Sequence, residues 1–323
     1  MRSVFPFLQW LPSYNKRFLG KDAVAGLTLG IVLIPQGMAY AMIAGLPPVY
    51  GLYASLVPVV IYALLGTSRQ MAVGPVAMDS LLVAAALAPF ATTGGENYVA
   101  MALLLAIMVG GIQIILGLLR MGFLVNFLSK PVISGFTSAA ALIIIISQLK
   151  HLLGTAVERS NRFHEVLYNA AIKIPEINWV DFTIGLLGIV LIVLFKRWNR
   201  KIPGVLIVVV LGILVVYLFG LQSYGVKIVG SIPTGLPSFH VPVITGANLL
   251  ELAPIALTLA LIGYLEAISI GKSLEEMNGE ETVNANQELI AIGASNFFGS
   301  LFQSYPVTGS FSRSAINDSS GAK

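Results

Sequence analysis

The residues able to do chemistry in this chain are few and sit among long apolar runs. Pro306-Val307-Thr308-Gly309-Ser310-Phe311-Ser312-Arg313-Ser314 follows a hydrophobic run that ends near Phe302, and it gathers hydroxyls and one arginine around a proline and a glycine. Backbone at membrane depth must satisfy its own polar groups, so an irregular stretch there is tolerated only where it lines a cavity or is buried in protein. A helix that starts inside the membrane also aims its unpaired N–H groups and positive dipole end at whatever fills that cavity. The stretch therefore reads either as half of an anion site or as a polar loop between two helices.

A second stretch shifts that balance. In Met71-Ala72-Val73-Gly74-Pro75-Val76-Ala77-Met78-Asp79-Ser80 a short β-prone run meets Gly-Pro and helix formers follow. Proline suits the first turn of a helix, where its missing N–H had no partner. Both stretches predict an extended segment feeding a helix that begins within the membrane. Paired interruptions in corresponding halves are the sequence mark of a transporter's central site.

Three ionisable residues lie where burial is expensive, Asp79, Glu266 and Arg313, and a functional role is the default expectation for each. Arg313 offers fixed positive charge to an anion, or else an ion pair with Glu266 or Asp79. Desolvation of Glu266 would favour its protonated form, and a carboxylate that changes charge between conformations is a simple means of coupling to protons. Asp79 sits in the first turn of its helix, where the dipole favours a carboxylate but an incoming anion would be repelled. Gln36 beside Pro35, with Tyr40 one turn later on the same face, faces a polar cavity or hydrogen-bonds between helices.

The elements around these residues are membrane elements. Of 323 residues 56% are hydrophobic and only 11% charged, with mean hydropathy +0.86, whereas soluble domains run near a quarter charged. Apolar runs that approach the ~20 residues needed to cross a bilayer predict spans at about 23–44, 49–65, 74–90, 98–119, 124–149, 180–195, 203–221, 251–271, 287–303 and 308–323. The fold class is an all-α polytopic membrane protein. With the N-terminus in the cytoplasm, twelve Lys and Arg fall inside and five outside, the bias expected of inner loops. That orientation also runs the helix after Gly74 outward and the one after Gly309 inward. Two outer connections are long, 150–178 and the Pro/Gly-rich 222–250, which reads as extended. Small-residue spacings such as Gly26-xxx-Gly30 and Gly110/Gly111/Gly117 suit close helix packing.

There is no cysteine, so thiol chemistry and disulfides are excluded. His151, His164 and His240 fall in polar connections. No nucleophile–base–acid set, metal-ligand cluster or phosphate loop stands out, so neither an enzyme nor a cofactor is expected. The net charge of +4 needs no nucleic acid to explain it. Residues 1–20 lack a cleavage signature and read as an interfacial segment.

Taken together, the blocks Pro48-Val49-Tyr50-Gly51-Leu52-Tyr53-Ala54-Ser55 through Gly66-Thr67-Ser68-Arg69, Ile34-Pro35-Gln36-Gly37-Met38-Ala39-Tyr40, Ala72-Val73-Gly74-Pro75-Val76, Lys130-Pro131-Val132-Ile133-Ser134-Gly135-Phe136 and Asn286-Gln287-Glu288-Leu289 leading to Pro306–Arg313 resemble the sulfate permease family of anion transporters. The resemblance implies two inverted seven-helix repeats, divided into a core and a gate and shared with nucleobase permeases. On that pattern residues 1–22 are an N-terminal interfacial segment, 23–221 the first repeat, 222–250 an outer connection and 251–323 the start of the second repeat. The resemblance implies an anion pocket of Gln36, Tyr40, Val76, Phe311, Ser312 and Arg313, with Glu266 at the acidic position tied to coupling. Asp79 departs from the pattern, which favours proton or cation coupling. Sodium coupling would want oxygen ligands near the eighth and tenth spans, yet the position one turn after Glu266 is Ile270. Family members continue through four more spans and commonly a cytosolic STAS domain, so the sequence reads as part of a longer protein, expected to be a homodimer in the plasma (inner) membrane.

The leading expectation is a secondary active transporter that couples uptake of sulfate or a related small inorganic or carboxylate anion to protons. The alternatives are sodium-coupled bicarbonate uptake, a nucleobase permease, and a membrane protein that binds anions without moving them.

Overall fold

The apolar runs fold into helices that break where Pro, Gly and polar residues cluster. The structure is a computed structural model that describes residues 5–88, 95–123, 130–155, 163–198, 204–230, 232–242, 246–279 and 283–322. The helices are α1 (Phe7–Trp10), α2 (Lys16–Ile43), α3 (Pro48–Tyr53), α4 (Val57–Leu65), α5 (Ala77–Leu87), α6 (Glu96–Leu118), α7 (Lys130–Leu153), α8 (Phe163–Ile172), α9 (Trp179–Trp198), α10 (Gly204–Leu218), α11 (Gly246–Asn278), α12 (Ala285–Ser300) and α13 (Phe311–Ser319). Two short strands, β1 (Val73–Gly74) and β2 (Thr308–Gly309), stand immediately before α5 and α13. Four stretches, 16–43, 48–65, 96–118 and 248–278, are long and apolar enough to cross a membrane, while 77–87, 179–195 and 207–218 are shorter apolar helices.

Each expected span has a helix within it, and the differences are local. The first begins at Lys16 rather than near 23, because the Asn15 side chain accepts from the backbone N–H of Arg17 and Phe18 and caps a polar first turn. The span expected at 308–323 is strand first and helix only from Phe311. The long connection 150–178 contains α8, so His164 lies on a helix, and His151 lies in the last turn of α7. All three histidines are exposed.

The chain divides into two compact units, residues 1–129 with 232–323, and residues 130–231. In the first, α6 and α12 lie side by side and buried. A Cβ on Gly110 would strike the backbone of Gly293 and Phe297, and one on Gly117 would strike Ile290. The α2–α3 crossing is as close, since a Cβ on Gly51 would overlap the Gly37 carbonyl. Gly26, Gly30 and Gly111 have nothing within 4 Å, so these members of the small-residue spacings make no close crossing among the described residues. In the second unit α9 packs on α7 and α10. The Asn178 backbone N–H donates to the Leu153 carbonyl at 3.0 Å and its side chain to that of Tyr224, also at 3.0 Å. Leu187, Val193 and Ile213 are exposed, as lipid-facing side chains are.

Candidate functional site

β1 and β2 pair antiparallel, with Val73 opposite Gly309 and Gly74 opposite Thr308. Pairing with each other is how two non-helical segments at membrane depth satisfy their backbone groups. The ladder is extended by Ala72, whose carbonyl accepts from Ser310 N–H and whose N–H donates to Ser314 Oγ, each at 2.9 Å. Gly74 has φ +152°, a backbone conformation that L side chains rarely adopt. Its missing side chain matters as well, because a Cβ there would lie 3.3 Å from Arg313 Nη2.

A helix leaves each strand. α5 starts after Val76, which provides no side-chain cap, so its first N–H groups meet no capping oxygen. α13 starts after Ser310, whose Oγ accepts from Arg313 N–H at 3.5 Å. Arg313 is fully buried, and its Nη1 donates to the Pro75 carbonyl at 2.6 Å. The guanidinium thus spans from the start of one half-helix to the start of the other.

Seven buried side-chain N or O atoms among the described residues lack a partner, and five belong to four of the residues singled out above: Gln36 Oε1, Asp79 Oδ1, Glu266 Oε2, and Arg313 Nε and Nη2. Buried polar groups are normally paired, and most of the exceptions among the described residues fall on these four. Tyr40 and Tyr305 lie within Coulombic reach of Arg313, and Asp79 within reach of Glu266. Leu33, one turn before Gln36, comes within 3.8 Å of the Cβ position of Gly74 and so places that face of α2 over β1. Val76 is buried; Phe311 and Ser312 are exposed on the first turn of α13, with Ser312 Oγ 3.4 Å from Ser310 Oγ. No carboxylate pairs with Arg313 among the described residues, so the ion-pair reading of that residue does not hold. The guanidinium points at the strand–helix junction instead.

Asp79 is 2% exposed on the first turn of α5. A Cβ on Gly263 of α11 would lie 3.6 Å from Asp79 Oδ2, Gln113 Nε2 and the Thr308 side chain. Thr308 Oγ1 donates to the Gly263 carbonyl at 2.6 Å, which ties β2 to the helix carrying Glu266. Ile270 is buried, with its Cδ1 3.4 Å from the Cβ position of Gly309; it packs on the strand and supplies no oxygen.

Several residues to which the sequence reading gave no role complete the surroundings. Tyr305, fully buried, shares a 3.1 Å hydrogen bond with Ser80. Asn296 and Gln113, both fully buried, hold the segment ahead of β2. Glu288, also fully buried, accepts from Thr67 N–H at 2.7 Å, from Thr67 Oγ1 at 2.5 Å and from Tyr62 OH at 2.9 Å, locking the 66–70 loop onto α12. Gln113 carried the same signal as Gln36, a lone amide inside an apolar run. No group of three or more metal-ligating side chains occurs among the described residues.

The sulfate permease family's sequence model matches residues 19–323. Sulfate transporter 4.1, chloroplastic, of Arabidopsis thaliana is 41% identical over 330 residues, covering 99% of this chain and 48% of that protein. Among solved structures, the murine Solute Carrier 26 family member A9 anion transporter in its inward-facing state superposes with TM-score 0.89 at 31% identity, over 99% of this chain and 56% of that one. The transmembrane domain of the cyanobacterial bicarbonate transporter BicA superposes with TM-score 0.83 at 25% identity, over 96% of this chain and 79% of that one. The chain spans about half the length of the Arabidopsis relative.

Proposed function

The chain belongs to the sulfate permease family, and from that premise we propose that it forms the site-bearing part of a secondary active transporter for sulfate or a related small anion. The observation that carries the proposal is the Arg313 guanidinium. It is fully buried, it has a single hydrogen bond, and two of its nitrogens are unpartnered beside the starts of α5 and α13. An anion seated against those two nitrogens would repay the burial of that charge. Gln36, Tyr40, Val76, Phe311 and Ser312 shape the pocket, and the uncapped start of α5 adds N–H donors.

Coupling to protons rests on Asp79, which is buried, and Glu266, which is half-buried, each with a buried oxygen that has no partner. Two such groups near one anion site repel the anion when ionised, so a proton entering with the substrate relieves the conflict. Sodium-coupled bicarbonate uptake is the weaker reading, since the position one turn after Glu266 is Ile270, which packs against Gly309 and supplies no oxygen. Alternating access would carry the site across the bilayer, with the N-terminus in the cytoplasm of the plasma (inner) membrane and a homodimer as the assembly.

The test is radiolabelled sulfate uptake by the full-length protein in sodium-free proteoliposomes, with and without an inward proton gradient. Gradient-stimulated uptake is expected. Uptake that needs sodium at fixed pH would overturn proton coupling, and absence of any sulfate flux would overturn sulfate as the substrate.

A further inference from the structure

The strand that leads to Arg313 has a partner on one side only, and on the other a side chain does a strand's work. Val307 lies just outside the two-residue ladder, and its N–H donates to Asn296 Oδ1 at 2.7 Å while its carbonyl accepts from Asn296 Nδ2 at 3.0 Å. One amide therefore satisfies both backbone polar groups of one residue, as a neighbouring strand would. Because the Val307 N–H must meet an oxygen, the orientation of the Asn296 amide is fixed.

Asn296 is in turn held from α6 and anchored on its own helix. The two hydrogens of its Nδ2 are shared between Val307 and two further acceptors, Gln113 Oε1 at 3.1 Å and the Ile292 carbonyl at 3.2 Å, and Gln113 Nε2 donates to the Ala260 carbonyl of α11 at 3.0 Å. Both amides are fully buried. They rise from the closest part of the α6–α12 crossing, where a Cβ on Gly293 would meet the Gly110 carbonyl at 2.9 Å and Gln113 Cβ at 2.9 Å. Backbones that close cannot slide, so the pair stands on a rigid platform. The chain of bonds runs from that platform through Val307 to Thr308, whose hydroxyl is tied to Gly263, and on to the start of α13 and Arg313.

We infer that Gln113 and Asn296 are positioning residues of the anion site: they touch no anion, and they set its affinity by fixing β2, and with it Arg313, against the start of α5. The inference rests on the anion-transport reading of Arg313. Asn296 acts directly on Val307, and Gln113 acts one step further back through Asn296. Loss of Gln113 should therefore have the smaller effect.

The experiment uses full-length protein in detergent and in proteoliposomes with sulfate as the probe, comparing the parent with Asn296→Leu, Gln113→Leu and a control, Ser295→Ala. Ser295 is equally buried on α12 but bonds only to the Ala291 carbonyl. Expected is a sulfate Kd weakened about tenfold or more in Asn296→Leu, less than the roughly 10²-fold that a misplacement of about 1 Å can cost a reacting site. A smaller weakening is expected in Gln113→Leu and none in Ser295→Ala. KM should rise while the maximal rate per folded protein changes little, and backbone hydrogen exchange across 304–310 should speed up. A purely structural role would lower thermal stability and folded yield but leave the Kd of the folded fraction unchanged. That result in Gln113→Leu, the milder variant, overturns the inference even if Asn296→Leu does not fold. A parent that binds no anion overturns the transport reading and this inference with it, whereas a parent that binds and variants with unaltered Kd overturn this inference alone.

Discussion

Replacing Arg313 with methionine should move stability and affinity in opposite directions. The guanidinium is fully buried, with one hydrogen bond from Nη1 to the Pro75 carbonyl, and with Nε and Nη2 unpartnered. Desolvating a charged group costs several kcal/mol, and one charge-assisted bond returns about 1.5–3 kcal/mol. The unfilled site therefore carries a deficit. Methionine fills most of the volume without charge, and on the precedent of buried ion groups exchanged for apolar ones the anion-free protein should gain about 1–4 kcal/mol. The anion loses at least two charge-assisted donors at about 1.5–3 kcal/mol each, which corresponds to a Kd weaker by roughly 10²–10⁴-fold. Thermal unfolding of the full-length protein with and without sulfate reads both effects. The anion-free midpoint should rise, and the sulfate-induced upward shift seen in the parent should vanish. A midpoint that falls sharply while the sulfate-induced shift persists would refute the reasoning, because it would make Arg313 a structural residue.

Three further outcomes follow from the geometry. Glu266→Gln should lose proton-driven accumulation while anion exchange persists, and a variant that still concentrates sulfate under a proton gradient would remove Glu266 from coupling. Glu288→Leu should destabilise by about 3–5 kcal/mol, since it removes the carboxylate that accepts from the half-buried Thr67 N–H, from Thr67 Oγ1 and from Tyr62 OH, whereas Glu288→Gln keeps one acceptor and should cost about half as much; equal unfolding midpoints for the two variants would count against that latch. Gly51→Ala should prevent folding or lower expression severely, because the new methyl overlaps the Gly37 carbonyl, while Gly26→Ala, with open space around it, should express normally; expression of the two at equal levels would contradict the crossing.

The helices and the two interrupted segments were legible because both rest on one physical rule, that backbone in lipid must satisfy itself. An apolar run announces a helix, and a Gly-Pro or Pro-Val-Thr-Gly interruption inside one announces the exception. What sequence alone did not reveal was mutual satisfaction across the fold. Thr67 and Glu288 are far apart in the chain, and nothing local to Gly66-Thr67-Ser68-Arg69 says that its threonine closes on a carboxylate of α12. The strand pairing of Val73 with Gly309 is hidden for the same reason. α8 escaped notice because a polar connection of moderate length reads equally well as a loop. The Arg313–carboxylate pair was a fair expectation from charge counting, and only the direction of the guanidinium toward Pro75 decides against it.

Polar residues at membrane depth carry the same cost whatever their role, so their presence alone does not separate binding from architecture. Closure of their hydrogen bonds does. Asn296, Gln113, Thr308 and Glu288 find partners within the chain, and each holds one element against another. Gln36, Asp79, Glu266 and Arg313 each keep a buried atom without a partner, and folding alone gives no reason to leave it so. On the proposed function these four side chains leave the empty state less stable than it could be, a shortfall that a substrate and its coupling ion would relieve on entering. The closed set serves the open one: Asn296 fixes β2 and Glu288 fixes the 66–70 loop, the elements from which Arg313 and the start of α5 follow.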